Sequence, residues 1–113
     1  MRSAIFVGSS REDLRTFPED VQDVLGFALS EAQGGRTPKE AKPMHGFRVS
    51  VQELVDRDGT GTYRLMYTVK LTKGVYVLHC FQKKSTIGIK TPQRELNTVA
   101  RRLQTAIEID ALP

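Results

Sequence analysis

The chain has 113 residues, 39% hydrophobic and 27% charged, with 17 Lys plus Arg against 13 Asp plus Glu for a formal net charge of +4. That length fits a single domain, residues 1–113, leaves no room for a two-domain cofactor enzyme, and the composition excludes collagen and a wholly disordered chain. A lone cysteine, Cys80, excludes an internal disulfide and a Cys-rich zinc site, and no apolar run approaches the roughly 18 residues of a membrane span, so a cytoplasmic protein with no membrane partner is expected.

Ala4-Ile5-Phe6-Val7 ends at Gly8 and reads as a strand. A helix follows with Ser10 as N-cap, Glu12 and Asp13 in its favourable first turn, and Leu14 and Phe17 facing inward. Pro18 resets the chain. Val21, Val24, Leu25, Ala28, Leu29 and Ala32 then recur at helical spacing until Gly34-Gly35, so two helices form a hairpin whose apolar stripe needs a sheet to cover it. Residues 36–47 carry Pro38, Pro43 and Gly46 without a sustained period and read as a loop. Residues 49–55 are strand-like, but Val49 and Val51 alternate in one phase and Leu54 in the other, which implies a bulge near Gln52 and Glu53 or a displaced boundary. After a turn at 56–61, Tyr63, Leu65, Tyr67 and Val69 alternate with Arg64, Met66 and Thr68 as in a half-buried strand. The almost continuously apolar residues 75–81 pair with it as a central strand.

Thr91 as N-cap and Pro92 at the first helical position open a last helix. Its apolar stripe is Leu96, Val99, Ala100, Leu103, Ala106 and Ile107, with Arg94 and Arg101 on the opposite side and Arg102 on a flank. The expected fold class is α+β in the order β-α-α-β-β-β-α, an antiparallel-rich sheet packed by an N-terminal helical hairpin and a C-terminal helix.

Charge is unevenly placed. Residues 1–56 hold seven basic and nine acidic residues, a net −2, whereas residues 62–107 hold nine basic residues and a single acid, Glu95, a net +8. A field of that kind favours a polyanionic partner, nucleic acid or an acidic protein segment, and a merely solvated basic face is the other reading.

No P-loop, GxGxxG or HExxH is present and the two histidines, His45 and His79, are far apart, so no cofactor and no metal is expected. Cys80 lies inside an apolar strand, where a small core residue is the default. What remains is a basic set around the hairpin: Arg64 on one strand, Lys83 and Lys84 past the end of its neighbour, and Lys90 in the same connection. Arginine can clamp a phosphate through two parallel hydrogen bonds, and clustered cations can stabilise attack of a ribose 2′-hydroxyl on its own phosphodiester, a reaction needing a base, an acid and oxyanion support. Equally, Arg64 can pair with Glu53 or Asp56, the lysines can be a solvated loop, and His79 can be a satisfied core histidine. Spacing leaves these readings open.

Lys42-Pro43-Met44 with Gly46, Gln52-Glu53-Leu54-Val55, Thr62-Tyr63-Arg64-Leu65-Met66-Tyr67, Val77-Leu78-His79-Cys80-Phe81-Gln82-Lys83-Lys84-Ser85, and Lys90-Thr91-Pro92 with Glu95 and Ala100-Arg101-Arg102-Leu103 resemble the phage-derived, HigB-like branch of the RelE/ParE toxin superfamily. The resemblance implies a RelE/ParE-like fold and the toxin of a type II toxin–antitoxin module, an endoribonuclease that cuts mRNA on the ribosome and is silenced by an antitoxin, a small helix-turn-helix protein. It implies that Arg64 and Lys84, with Lys83 adjacent, support the scissile phosphate. Glu53 and His79 are the acid/base candidates, and Lys90, Arg94 and Arg101 the further nucleic-acid contacts. The chain departs from RelE-type nucleases in having Gln52, Glu53 and Val55 where they carry basic residues, and residues 87–90 where they carry a tyrosine. ParE-like relatives poison gyrase, and a non-catalytic basic binding module is the alternative of another class.

Overall fold

The computed structural model describes residues 1–83 and 90–113. Among the described residues eight elements follow one another: β1 (Ala4–Phe6), α1 (Ser10–Arg15), α2 (Glu19–Gln33), β2 (Ala41–Met44), β3 (Val51–Asp58), β4 (Gly61–Thr68), β5 (Val75–Lys83) and α3 (Gln93–Asp110). The strands form one sheet in the order β1-β5-β4-β3-β2, antiparallel throughout except that β1 runs parallel to β5. The molecule is thus a small α+β fold with an antiparallel-rich mixed sheet, N-terminal helices and a C-terminal helix.

Both faces of the sheet are covered. On one, Phe17 and the α2 residues Val21, Leu25, Ala28, Leu29 and Ala32 pack on Leu54, Tyr63, Leu65, Tyr67, Val75, Val77 and Cys80. On the other, Val99, Leu103 and Ala106 of α3 pack on Val51, Met66, Tyr76, Leu78 and Phe81. β4, the middle strand, is therefore buried from Tyr63 to Thr68 on both sides. The expected alternation has the right phase, but the strand is not half-buried, because α3 covers the face that carries Arg64 and Met66.

Five further expectations change. Residues 36–47 are not all loop: β2 pairs with β3 from Ala41↔Leu54 to Met44↔Val51, and the order of elements becomes β-α-α-β-β-β-β-α. Pro43 hid this strand, yet on the outermost strand its missing N–H costs no ladder bond on the solvent side. β3 starts at Val51, and its pairing with β4 is regular from Gln52↔Tyr67 to Asp58↔Gly61, so no bulge lies at Gln52 and Glu53; Val51 and Leu54 keep opposite phases because both faces are covered, Val51 packing on the α3 side and Leu54 on the α2 side, and the register shift lies between Met66 and Tyr67, opposite β5. Ser9, not Ser10, is the residue before α1, and Ser10 is buried with its hydroxyl donating to the Val77 carbonyl at 3.2 Å. Pro92, not Thr91, caps α3, its carbonyl accepting from the N–H groups of Glu95 and Leu96. Val24 and Ala100, counted among the inward stripes, face outward.

Candidate functional site

The phase of β4 fixes the site. Because Tyr63, Leu65 and Tyr67 point toward α2, Arg64 and Met66 point toward α3, and the register places Glu53 opposite Met66, Val55 opposite Arg64 and Phe81 opposite Arg64 on the other side. Arg64 is 7% exposed and Glu53 5%. Arg64 Nη1 donates to Glu53 Oε2 at 2.7 Å, and Thr91 Oγ1, at the entrance to α3, reaches the same carboxylate oxygen at 3.4 Å. Two residues beyond Phe81 on β5, Lys83 donates through Nζ to the Lys90 carbonyl at 2.8 Å, which pins the start of the last helix against the end of this strand. Arg64, Glu53, Lys83, Lys90 and Thr91 thus gather at one end of the α3-covered face.

His79 occupies a second polar nest on that face. The register shift lets both Leu78 and His79 lie on the α3 side, where unbroken alternation would have sent one of them across the sheet. His79 stacks on Phe81 with ring centroids 5.0 Å apart. Its Nδ1 meets Arg102 Nη1 at 3.2 Å and its Nε2 meets Glu95 Oε1 at 2.9 Å. Arginine can only donate, so Nδ1 is the acceptor and Nε2 carries the proton that Glu95 accepts. Arg102 also donates to the Leu78 carbonyl and, through Nη2, to Ser9 Oγ, which in turn donates to Asp13 at 2.8 Å. Phe81, stacked on His79 and cross-strand from Arg64, adjoins both nests.

Among the described residues β1 pairs only with the Val75 to Val77 stretch of β5. Past it, a cleft of about 310 Å³ opens beside β5, lined by Asp13 and Phe17 from the first helical turn region, Tyr63, His79 and Gln82 from the sheet, and Glu95 from α3. Cys80 borders this cleft, but burial pushes its thiol far above the ordinary range, so a thiolate nucleophile is not available there. Tyr63, near Arg64 in sequence, sits on the other face against Phe17 and hydrogen-bonds Thr60.

Of the residues singled out from sequence, Arg64, Glu53, Lys83 and Lys90 come together, and His79 stands one aromatic ring away. Arg94 and Arg101 are exposed on the solvent side of α3, and no hydrogen bond or ion pair among the described residues joins their side chains to that group. Lys84 lies outside the described residues. Glu95 and Arg102, which hold His79, were not foreseen as site residues. Their seven-residue separation, two helical turns, places both on one face of α3 and was the available signal, as was Glu95 being the single acid in a strongly basic stretch. Among the described residues no group of three or more His, Cys, Asp or Glu side chains is placed to hold a metal ion, and no helix is long and apolar enough to cross a membrane.

None of the curated proteins matches this chain. Residues 12–104, from α1 to well inside α3, match the family model described as phage-derived protein Gp49-like (DUF891).

Proposed function

The chain belongs to the phage-derived Gp49-like family, and on that premise, with the motifs that resemble HigB-like toxins, we propose that it is the toxin of a type II toxin–antitoxin module, a metal-independent endoribonuclease cutting mRNA on the ribosome. The observation that carries this reading is the convergence of Arg64, Lys83 and Lys90 at one end of the sheet, with Glu53 and Thr91 among them. The element order, with helices on one face and a single C-terminal helix on the other, fits a RelE/ParE-like fold. Its place in the reading is support, since a shared fold hosts more than one activity.

In this proposal the scissile phosphate takes the place of Glu53 on Arg64, which then offers its guanidinium to the phosphoryl oxygens, while Lys83 and Lys84 supply further positive charge. Glu53, released from Arg64, is the candidate base for the 2′-hydroxyl, and His79, whose Nε2 proton is directed at Glu95, the candidate acid. The partner that silences the toxin is a small helix-turn-helix antitoxin whose acidic segment covers this basic end. Induced expression should arrest translation with mRNA cuts at codon-defined positions, and Arg64→Ala and Lys84→Ala should each relieve the arrest. Because Arg64→Ala strands a buried carboxylate, Arg64→Ala/Glu53→Ala accompanies it as the variant without buried charge. Arrest at full strength in all three, at wild-type soluble levels, overturns the reading.

One observation favours a second reading. In the resting chain Arg64 is already held by Glu53 with both side chains withdrawn from water, as in a structural ion pair. A non-catalytic basic binding module, or a ParE-like gyrase poison, would keep that pair intact. Growth arrest with intact mRNA, or with gyrase-dependent DNA breaks, selects it.

A further inference from the structure

α2 carries four acidic residues and neither lysine nor arginine, yet its outer face is not wholly polar. Val24 is 37% exposed and Phe27 67%. Three residues apart, they stand on one side of the helix and border a groove of about 680 Å³ between α2 and the chain leading into β2. Asp23, Glu31 and Glu40 line the same groove against a single cation, Lys39. Glu40 Oε1 is shielded from water and has no hydrogen-bond partner among the described residues. A carboxylate oxygen so placed is unfavourable until a donor or cation meets it, and the half-buried Glu40 side chain can turn outward to do so.

We propose that this groove is the docking surface for a partner segment that is a basic amphipathic helix, with its apolar side chains over Val24 and Phe27 and its lysines or arginines against Asp23, Glu31 and Glu40. Apolar burial supplies the attraction in such helix-in-groove contacts, and the complementary charge selects the partner and speeds encounter. A nucleic acid is disfavoured here by the same carboxylates. The surface lies across the sheet from Arg64 and is independent of the toxin reading.

The test is a fluorescence-anisotropy titration of the whole chain against a fluorescein-labelled 18-residue peptide of leucine and lysine in amphipathic helical order, beside its leucine–glutamate counterpart. The lysine peptide should bind at least about tenfold more tightly than the glutamate peptide. Phe27→Asp and the pair Asp23→Lys/Glu31→Lys should each weaken it about fivefold or more, with unchanged circular dichroism. Equal affinity for the two peptides, or wild-type affinity in both variants, overturns the proposal. So does a wild-type chain that dimerises in sedimentation while Phe27→Asp remains monomeric, which would assign the groove to a second copy.

Discussion

Glu53 and Arg64 hold each other's charge in a place water scarcely reaches, so removing one is a different experiment from removing both. Glu53→Ala alone should lower unfolding free energy by about 3–5 kcal/mol, and Arg64→Ala/Glu53→Ala by clearly less than the sum of the single changes, as read by urea denaturation. Additive losses would mean the pair is not coupled. Cys80 gives a second residue-level expectation. Because burial raises its thiol and the side chain is packed between the first helices and the sheet, a disulfide reagent at pH 8 should leave the native chain almost unmodified and react fully once it is unfolded. Rapid native labelling would contradict that packing. An ion pair of Arg64 with Glu53 or Asp56 was legible in the sequence as one reading; the register chooses Glu53, because Asp56 stands opposite Tyr63, which faces the other side of the sheet. The holding of His79 was not legible: it depends on one extra residue in β5, and a local register shift leaves no mark on an almost unbroken apolar run.

Helices were easier to read than strands because their apolar period spans several turns, while β2 has four residues, one of them proline, and only its position at the sheet edge makes it a strand. The limits of the helices were harder. The sequence pointed to Ser10 as the cap of α1, but the Val77 carbonyl, which belongs to an element far along the chain, takes the Ser10 hydroxyl and Ser9 stands at the cap position. The approach of α3 to the start of α1 passes through Gly8, where φ is +59° and an added Cβ would stand 2.7 Å from Arg102 Nε. Gly8→Ala should therefore cost about 1–2 kcal/mol from backbone conformation alone and more if Arg102 is displaced; a neutral urea midpoint would show that neither constraint operates. At the other end of α3, Asp110 accepts from the Thr72 and Lys73 N–H groups and from the Thr72 and Tyr76 hydroxyls. These bonds, the Thr72 N–H first, hold its carboxyl down at about 2. A depressed carboxyl stabilises the fold above its unfolded value and loses that contribution as pH falls through the folded one. The stability difference between wild type and Asp110→Asn should thus be constant near neutrality, shrink below about pH 4 and vanish near pH 2, by thermal melts across that range. A difference that persists at the acid end would separate the clamp from the charge.

For the whole molecule, the net +4 conceals a division between an acidic α2 and a basic far side, separated by the sheet. If the chain acts on RNA as proposed, binding of a single-stranded RNA oligomer should weaken steeply with salt, and Lys83→Ala and Lys90→Ala should each lower the log–log salt slope by about 0.7, the value for one lost phosphate contact. Unchanged slopes would place the nucleic acid elsewhere, with the exposed Arg94 and Arg101 the next residues to vary. The parallel pairing of β1 with β5 adds a consequence in time. Ala4 lies beside Val75, so the first strand synthesised has no neighbour until seventy further residues exist. At roughly 5–20 residues per second that is a wait of about 4–14 s, and α3, which contributes Glu95 and Arg102, comes later still. A nascent chain accordingly lacks the His79 nest until translation is nearly finished, and a product truncated before α3 would leave the face of the sheet that carries Arg64 and Met66 uncovered.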